Sequence, residues 1–293
     1  MKIGYYPGCS LHKVAKEYDR SVHRVTEKLG IKLEELDDWN CCGAMEVVAI
    51  NPLAAEGIVA RNLAIAEKQK INLLAAVCPA CSFQLLSVNH KMAQDQAHAN
   101  EINALLDTPY RPNSVKSMHF LQLLRDEIGL DAIKEKIVKG NPLKGKKGVA
   151  YYGCFCTRPG DIIQFEDPDN PTFMDELIDI VGAKALYFPM KTKCCGATQL
   201  LVAKPTVETL TGNIIVNARD VGAEFIVVAC QMCALALDGQ QKQAINRVKG
   251  GKFKIPVLYI SQVLGLGMGL DYDILGLGSN YVSPKEFLRR AKT

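Results

Sequence analysis

The sequence repeats itself, and that repetition constrains the fold more than any other feature. Cys41-Cys42-Gly43-Ala44 returns as Cys194-Cys195-Gly196-Ala197. A proline follows ten residues beyond the second cysteine of each pair, Pro52 and Pro205. The apolar run Leu73-Leu74-Ala75-Ala76-Val77 ends in Cys78-Pro79-Ala80-Cys81, and Phe225-Ile226-Val227-Val228-Ala229 ends in Cys230-Gln231-Met232-Cys233. The opening Tyr5-Tyr6-Pro7-Gly8-Cys9 is echoed by Tyr151-Tyr152-Gly153-Cys154. A weaker fourth block sets Gln122 against Gln262 and His119 against Tyr259. Four blocks in the same order are a duplicated domain, and two copies predict a pseudo-two-fold pair rather than a solenoid.

Each copy reads as alternating strand and helix. Residues 2–6 and 148–152 are short strands that stop near a glycine. Val14, Tyr18, Val22, Val25 and Leu29 recur at helical spacing, with Gly30 where a helix-terminating glycine belongs. In the second copy Asn170-Pro171-Thr172 opens a helix that closes at Gly182. Pro52 and Pro205 are expected in the first turns of the helices that follow them. The apolar runs before Cys78 and Cys230 are short and unbroken, as in strands buried on both faces. Together these signals predict an α/β fold with a small, mainly parallel sheet in each half. The polar stretch 134–147, with Gly140, Pro142 and Gly145, places the boundary between domains 1–145 and 146–293.

A length of 293 residues allows two cores, and 48% hydrophobic with 23% charged residues excludes disorder or a fibrous repeat. The net charge of +4 divides into +1 and +3, so neither half is a basic nucleic-acid module. The opening MKIGYYPGCS has no apolar core of a secretory leader. The longest apolar stretch, 225–237, is interrupted by Gln231 and too short to span a bilayer. A cytoplasmic protein is expected. Disulfides seldom persist there, so the 11 cysteines are read as metal ligands, redox groups or buried small hydrophobes. Gly265-Leu266-Gly267-Met268-Gly269 lacks the strand, spacing and acidic partner of a nucleotide loop, and no Walker A run occurs. No flavin or nicotinamide is expected in this chain.

Five cysteines fall in each copy: Cys9, Cys41, Cys42, Cys78 and Cys81, then Cys154, Cys194, Cys195, Cys230 and Cys233. The spacing is C-x31-CC-x35-CxxC in the first copy and C-x39-CC-x34-CxxC in the second, with Cys156 left over. A CxxC turn at the end of a buried strand places two sulfurs together, and N–H groups of a following helix would stabilise thiolates there. Adjacent cysteines in a strand point apart, so Cys41-Cys42 must lie in a loop, where Gly43 supplies backbone freedom. A closed zinc site takes four ligands, as does an ordinary cubane cluster, and either would leave one cysteine of each five idle. Five thiols kept twice point instead to a larger or less regular iron–sulfur core. Buried structural thiols or two zinc knots are the plainer alternative.

These two copies of C-x(n)-CCG-x(n)-CxxC resemble the cysteine-rich CCG-domain family. The whole chain, opening YYPGC included, is similar to the B subunits of heterodisulfide reductases from methanogenic archaea. The resemblance implies two duplicated Rossmann-like CCG domains related by a pseudo-two-fold axis. It implies a noncubane [4Fe–4S] cluster on each five-cysteine set, with Cys154 matching Cys9 and Cys156 a spare. The two clusters would flank a cavity where the coenzyme M–coenzyme B mixed disulfide is reduced to two thiols in methanogenesis. The partners it implies are a ferredoxin-like C subunit plus a flavin-containing A subunit, with a hydrogenase or formate dehydrogenase beyond them.

Such a substrate is anionic, which directs attention to cations near the cysteines. Lys191 and Lys193 beside Cys194, His12 and Lys13 after Cys9, and Arg158 are the substrate-binding candidates. For any one lysine, a solvated surface charge is the simpler explanation. His119 is a candidate proton donor, because the other copy has Tyr259 there; the alternative is a packed histidine in an apolar helix over 118–124. Trp39, the only tryptophan, would wall the cavity or cap the core. Two other functions remain open. One is an iron–sulfur electron-transfer subunit of a glycolate, lactate or succinate-type dehydrogenase, and the other a zinc-stabilised scaffold.

Overall fold

A computed structural model describes residues 2–44 and 46–289. Its first half contains β1 (Lys2–Tyr6), β2 (Lys32–Glu35), β3 (Leu73–Ala76) and β4 (Lys116–His119), in the spatial order β2-β1-β3-β4. Its second half contains β5 (Lys147–Tyr151), β6 (Lys184–Ala185), β7 (Phe225–Val228) and β8 (Val257–Tyr259), in the order β6-β5-β7-β8. Every pairing is parallel, with Tyr6 opposite Ala76 and Tyr151 opposite Val228. All four residues of β7 are buried, which explains their unbroken apolar run. The equal orders show one unit built twice.

The match of Tyr6 to Tyr151 also corrects the pairing of the two Tyr-Tyr sequences. With Cys9 on Cys154, Tyr6 corresponds to Tyr151, and Pro7 takes the place of Tyr152. A dipeptide echo hides this one-residue offset, whereas the end of the strand reveals it.

Helix α1 (Lys16–Lys28) buries Tyr18, Val22 and Val25 as the spacing predicts, with Ser21 and Thr26, whereas Val14 precedes the helix and is exposed. Gly30 follows with a φ of 75°, a left-handed backbone that releases the chain into β2. Helix α2 (Pro52–Lys68) begins with Pro52 at its first turn, and Asn51 caps it by accepting the Ala54 N–H at 3.1 Å. Such a cap contributes about 1 kcal/mol. Helix α3 (Pro79–Gln94) starts directly behind Cys78. In the second half the counterparts are α4 (Phe173–Ile180), α5 (Lys204–Asp220) and the short α6 (Gln231–Ala234).

The halves share one large interior, and a second, smaller cluster around Tyr6, Val59, Leu63 and Leu85 lies within the first half alone. The largest core cluster runs from Ile3, Tyr18 and Val22 through Phe225, Leu258 and Leu264. Helix α7 (Ile260–Gly267) is buried along its whole length and packs on α1, where Ser21 and Ser261 hydroxyls meet at 2.6 Å. The polar stretch around residue 140 is packed too. Val138 N–H donates to Gly267 O at 2.9 Å, and the Asn141 amide donates to Val181 O at 3.0 Å.

Candidate metal centres

Where the order of a parallel sheet reverses, the carboxyl ends of the strands leave a crevice. Here β1 continues to β2 on one side and β3 to β4 on the other, and the cysteines follow the carboxyl ends of β1, β2 and β3. The second half does the same with β5, β6 and β7. All 11 cysteines are free thiols.

The first set forms a contiguous row. Cys9 and Cys41 sulfurs lie 3.6 Å apart, and Cys42 and Cys81 sulfurs 3.4 Å apart. Cys41 hydrogen-bonds to Cys42, and Cys78 to Cys81, which joins all five. In the second set, Cys195 and Cys233 sulfurs are 3.6 Å apart, Cys154 donates to Cys194, and Cys233 meets Cys230. Cys41-Cys42 lies in a loop, as the adjacency requires, and Gly43 there has a φ of 75°. The inner thiols Cys42, Cys78, Cys81, Cys195 and Cys233 are buried, while Cys9, Cys41 and Cys194 are exposed.

These rows carry unequal charge. Thiol donation from Cys41 and then Cys81 drives Cys42 down to about 4. Donation from Cys81 lowers Cys78 to about 7 against the pull of burial, helped by backbone N–H groups of Cys81 and Ala80 at the start of α3. In the second set, donation from Cys154 lowers Cys194 to about 6, and Cys233 lowers Cys195. Cys9, Cys81, Cys154 and Cys233 are pushed up, each chiefly by its hydrogen bond to a neighbouring sulfur.

Two elements hold the rows in shape that the motif alone did not reveal. Tyr6 donates its hydroxyl to Asn40 O at 2.8 Å, and Tyr151 to Lys193 O at 2.6 Å. Each tyrosine thereby fixes the residue before its cysteine pair. Buried Asn62 adds two bonds to the Asn40 backbone at 2.9 Å, and Gln84 reaches Ala44 O at 2.8 Å. Gly8 and Gly153 have φ values of 72° and 71°, and a Cβ on either would stand 3.0 Å from Cys81 or Cys233 sulfur. A side chain there would intrude on the thiol row in either half. The only signal for these roles was the repeated YY and G-C, which read equally well as the end of a strand.

Among the described residues, no three His, Cys, Asp or Glu groups converge on a point fit for one metal ion. The donors are instead strung in a row beside a glycine cradle, an arrangement that suits a polynuclear thiolate-bound core. The residues present therefore fit an iron–sulfur cluster in each half.

The two rows approach each other at their CxxC ends. Cys156, fully buried, lies in the electrostatic reach of both Cys78 and Cys230, and the Gln231 side chain hydrogen-bonds to Cys78. Tyr18 donates to Ala229 O at 3.1 Å and stacks on Tyr259 at 4.0 Å. Phe83, two residues beyond Cys81, stacks on Phe155, the neighbour of Cys154, at 5.2 Å. Cys156 belongs to neither row and sits between them.

The basic candidates scatter. Lys191 is buried, with its ammonium bonded to Asp175 at 3.1 Å and Pro171 O at 2.9 Å. Arg158 holds Asp169 and donates to Thr192 O at 3.2 Å. His12 pairs with Glu35 at 3.3 Å and lies edge-on to Trp39, which also donates to Glu35 at 2.8 Å. Lys13 and Lys193 are exposed. Trp39 packs against the first-half core. His119 is not in a helix: it ends β4 and caps the short turn Phe120–Gln122. Its Nε2 meets Val77 O at 2.9 Å and its Nδ1 accepts the Leu121 N–H at 3.2 Å. Burial lowers it to about 4, so both ring nitrogens are committed and the ring is neutral at pH 7. Gln262 Oε1 accepts the Tyr259 N–H at 3.0 Å as Gln122 Oε1 accepts the His119 N–H at 2.9 Å, which matches the fourth block.

The cysteine-rich CCG domain model matches residues 3–86 and 149–238, covering both thiol rows. The chain belongs to the cysteine-rich CCG-domain family. It is 32% identical to the 8-methylmenaquinol:fumarate reductase membrane anchor subunit of Wolinella succinogenes, over 96% of this chain and 97% of that one. It is 31% identical to a heterodisulfide reductase B-subunit-like protein of Archaeoglobus profundus, over 92% of each. It is 29% identical to the B subunit of the ferredoxin:CoB-CoM heterodisulfide reductase of Methanosarcina mazei, over 99% of this chain and 96% of that one. A hypothetical protein from Helicobacter pylori shares the fold, with a TM-score of 0.73 at 16% identity over 96% of this chain and 52% of that one. No described helix is long and apolar enough to cross a membrane.

Proposed function

We propose that the chain is the catalytic B subunit of a heterodisulfide reductase. On this reading it is an iron–sulfur oxidoreductase that opens the coenzyme M–coenzyme B disulfide in the cytoplasm of a methanogen. The observation that carries the reading is the facing of two equivalent five-thiol rows across the interface of the halves, beside Cys156. Cys9, Cys41, Cys42, Cys78 and Cys81 would hold one noncubane [4Fe–4S] cluster. Cys154, Cys194, Cys195, Cys230 and Cys233 would hold the other. When bound, the clusters supply the two single electrons that cleavage of one S–S bond consumes.

The chain's own residues shape that chemistry. Tyr6 and Tyr151 hold the two cysteine pairs, and Gly8 and Gly153 leave space beside the inner sulfurs. Lys13 and Lys193 are the candidate cations left free to meet an anionic substrate, since Lys191, Arg158 and His12 have carboxylate partners within the chain. Electrons would enter from a ferredoxin-like C subunit, fed by a flavin-containing A subunit with a hydrogenase or formate dehydrogenase behind it.

The similarity to the Wolinella protein favours one second reading, an electron-transfer subunit of a succinate- or fumarate-type complex. Anaerobic addition of the coenzyme M–coenzyme B disulfide to the reduced protein separates the two. A new EPR signal and release of both thiols support the first reading. No response to the disulfide, with rapid oxidation by a menaquinone analogue, supports the second.

A further inference from the structure

The second CxxC turn borders a polar cavity that the first does not. A cavity of about 30 Å³ lies between α1, α6 and β8, bounded on its polar side by Glu17, Gln231, Asp238, Tyr259, Ser279 and Asn280. One water needs roughly 10–15 Å³, so the space accommodates one or two. No lysine, arginine or histidine lines it among the described residues. Gln231, 4% exposed, hydrogen-bonds to Cys78, yet its Oε1 has no partner among the described residues. A buried carbonyl oxygen of this kind normally finds a donor, and the cavity beside it is where a water would supply one.

Two carboxyl groups share this space. Tyr259 donates to Glu17 Oε1 at 3.5 Å. Asp238, 6% exposed, sits on the π-turn Leu235–Gly239 and accepts the N–H groups of Tyr281 at 2.7 Å and Val282 at 2.9 Å. Burial raises Glu17 although Tyr259 and Arg20 oppose it. Burial raises Asp238 to about 6, with the Glu17 charge adding to the rise and the Val282 and Tyr281 amides opposing it. Asp238 is therefore poised to take up and release a proton near pH 6, with the raised Glu17 carboxyl beside it.

The first half has no counterpart. At the same distances from its second CxxC cysteine stand Pro79 for Gln231 and Leu86 for Asp238. His119 replaces Tyr259, with both nitrogens bound to backbone.

We propose that this chamber is the proton entry to the face between the two thiol rows: Asp238 and Glu17 pass protons through water held in the cavity to the Gln231 end, beside Cys78 and Cys230. The inference rests on the disulfide-reductase reading. Cleaving R–S–S–R′ breaks one S–S bond, takes two electrons from the ferredoxin-like partner protein and forms two S–H bonds, so each turnover needs two protons at a buried place. Glu17 and Asp238 touch neither substrate nor cluster and act as relays.

The test uses the cluster-loaded full chain and its Glu17→Gln, Asp238→Asn and Tyr259→Phe variants. Turnover of the coenzyme M–coenzyme B disulfide with reduced viologen is measured across pH, and cluster midpoint potentials are followed by EPR across the same range. The proposal expects Glu17→Gln with Asp238→Asn to lower turnover about ten-fold or more, with unchanged iron content. It also expects the pH dependence of the potentials to flatten. If that double variant misfolds, Tyr259→Phe should give the same direction with smaller size. Wild-type turnover and potentials in all variants would overturn the chamber. Wild-type protein inert toward the disulfide, with potentials that lose their pH dependence in the variants, would refute the reductase reading and leave the chamber standing.

Discussion

The first CxxC turn and the second occupy the same place in the fold and have different surroundings. In the first half, Pro79 starts a helix of 16 residues, α3, whose next turns bury Ser82, Gln84, Leu85 and Val88. In the second half, Gln231 starts a helix of four residues that passes into a π-turn, and this irregular turn carries Asp238 inward. π-Turns inside helices often mark functional positions. The sulfur rows and their glycine cradles are nearly superimposable in pattern, so the requirement they meet is the same in both halves. What surrounds them has diverged: Pro79 and Leu86 stand in the first half where Gln231 and Asp238 stand in the second.

Three experiments would break or sharpen this comparison. The largest expected effect comes from Gly8→Ala and Gly153→Ala. Each forces a Cβ to 3.0 Å from an inner sulfur at a positive φ. Each variant should lose about half of the bound iron, and full iron in either one would show that the two cradles are not equivalent.

A smaller effect distinguishes the charges placed three residues before each cysteine pair. Lys191 pairs with Asp175 in the interior, whereas Asp38 pairs with Arg61 at the surface. Removing one partner of a buried pair strands the other, so Lys191→Met should cost about 3–5 kcal/mol in denaturant unfolding. Arg61→Met should cost about 1 kcal/mol or less. Equal losses would mean that the second half is no more dependent on its internal charge than the first.

The smallest effect is chemical reactivity in cluster-free protein. Cys41 and Cys194 are both exposed, but Cys41 is raised by its bond to Cys42 and Cys194 lowered to about 6 by donation from Cys154. Only the thiolate is nucleophilic. At pH 7 iodoacetamide should therefore label Cys194 before Cys41, with the preference fading as pH falls below about 6. Mass spectrometry of the digested protein reads the order directly.

How far these features could be seen in the chain depends on the range of the interaction that makes them. Pro52, Pro79 and Gly30 act within one turn of their own helix, and each stands where its chemistry predicts. The cysteine rows were legible because duplication fixes their spacing twice. β2 and β6 were not, since KLEE has no apolar alternation and β6 has only two residues; pairing to β1 and β5 makes them strands. Lys191 looked like a free cation until α4 placed Asp175 against it. His119 was assigned by analogy to a helix or a proton donor, and the Val77 carbonyl on a neighbouring strand settles its ring. The Gln231–Asp238 chamber required three distant segments to meet, which no local pattern encodes.

The central claim is one cluster on each five-thiol row. Anaerobic iron and sulfide counts on the wild type, Cys42→Ala and Cys195→Ala test it most directly. The account predicts about eight iron atoms per chain in the wild type, the content of two four-iron clusters, and about four in each variant. About two zinc ions per chain without iron, or an iron count that neither substitution changes, would contradict it.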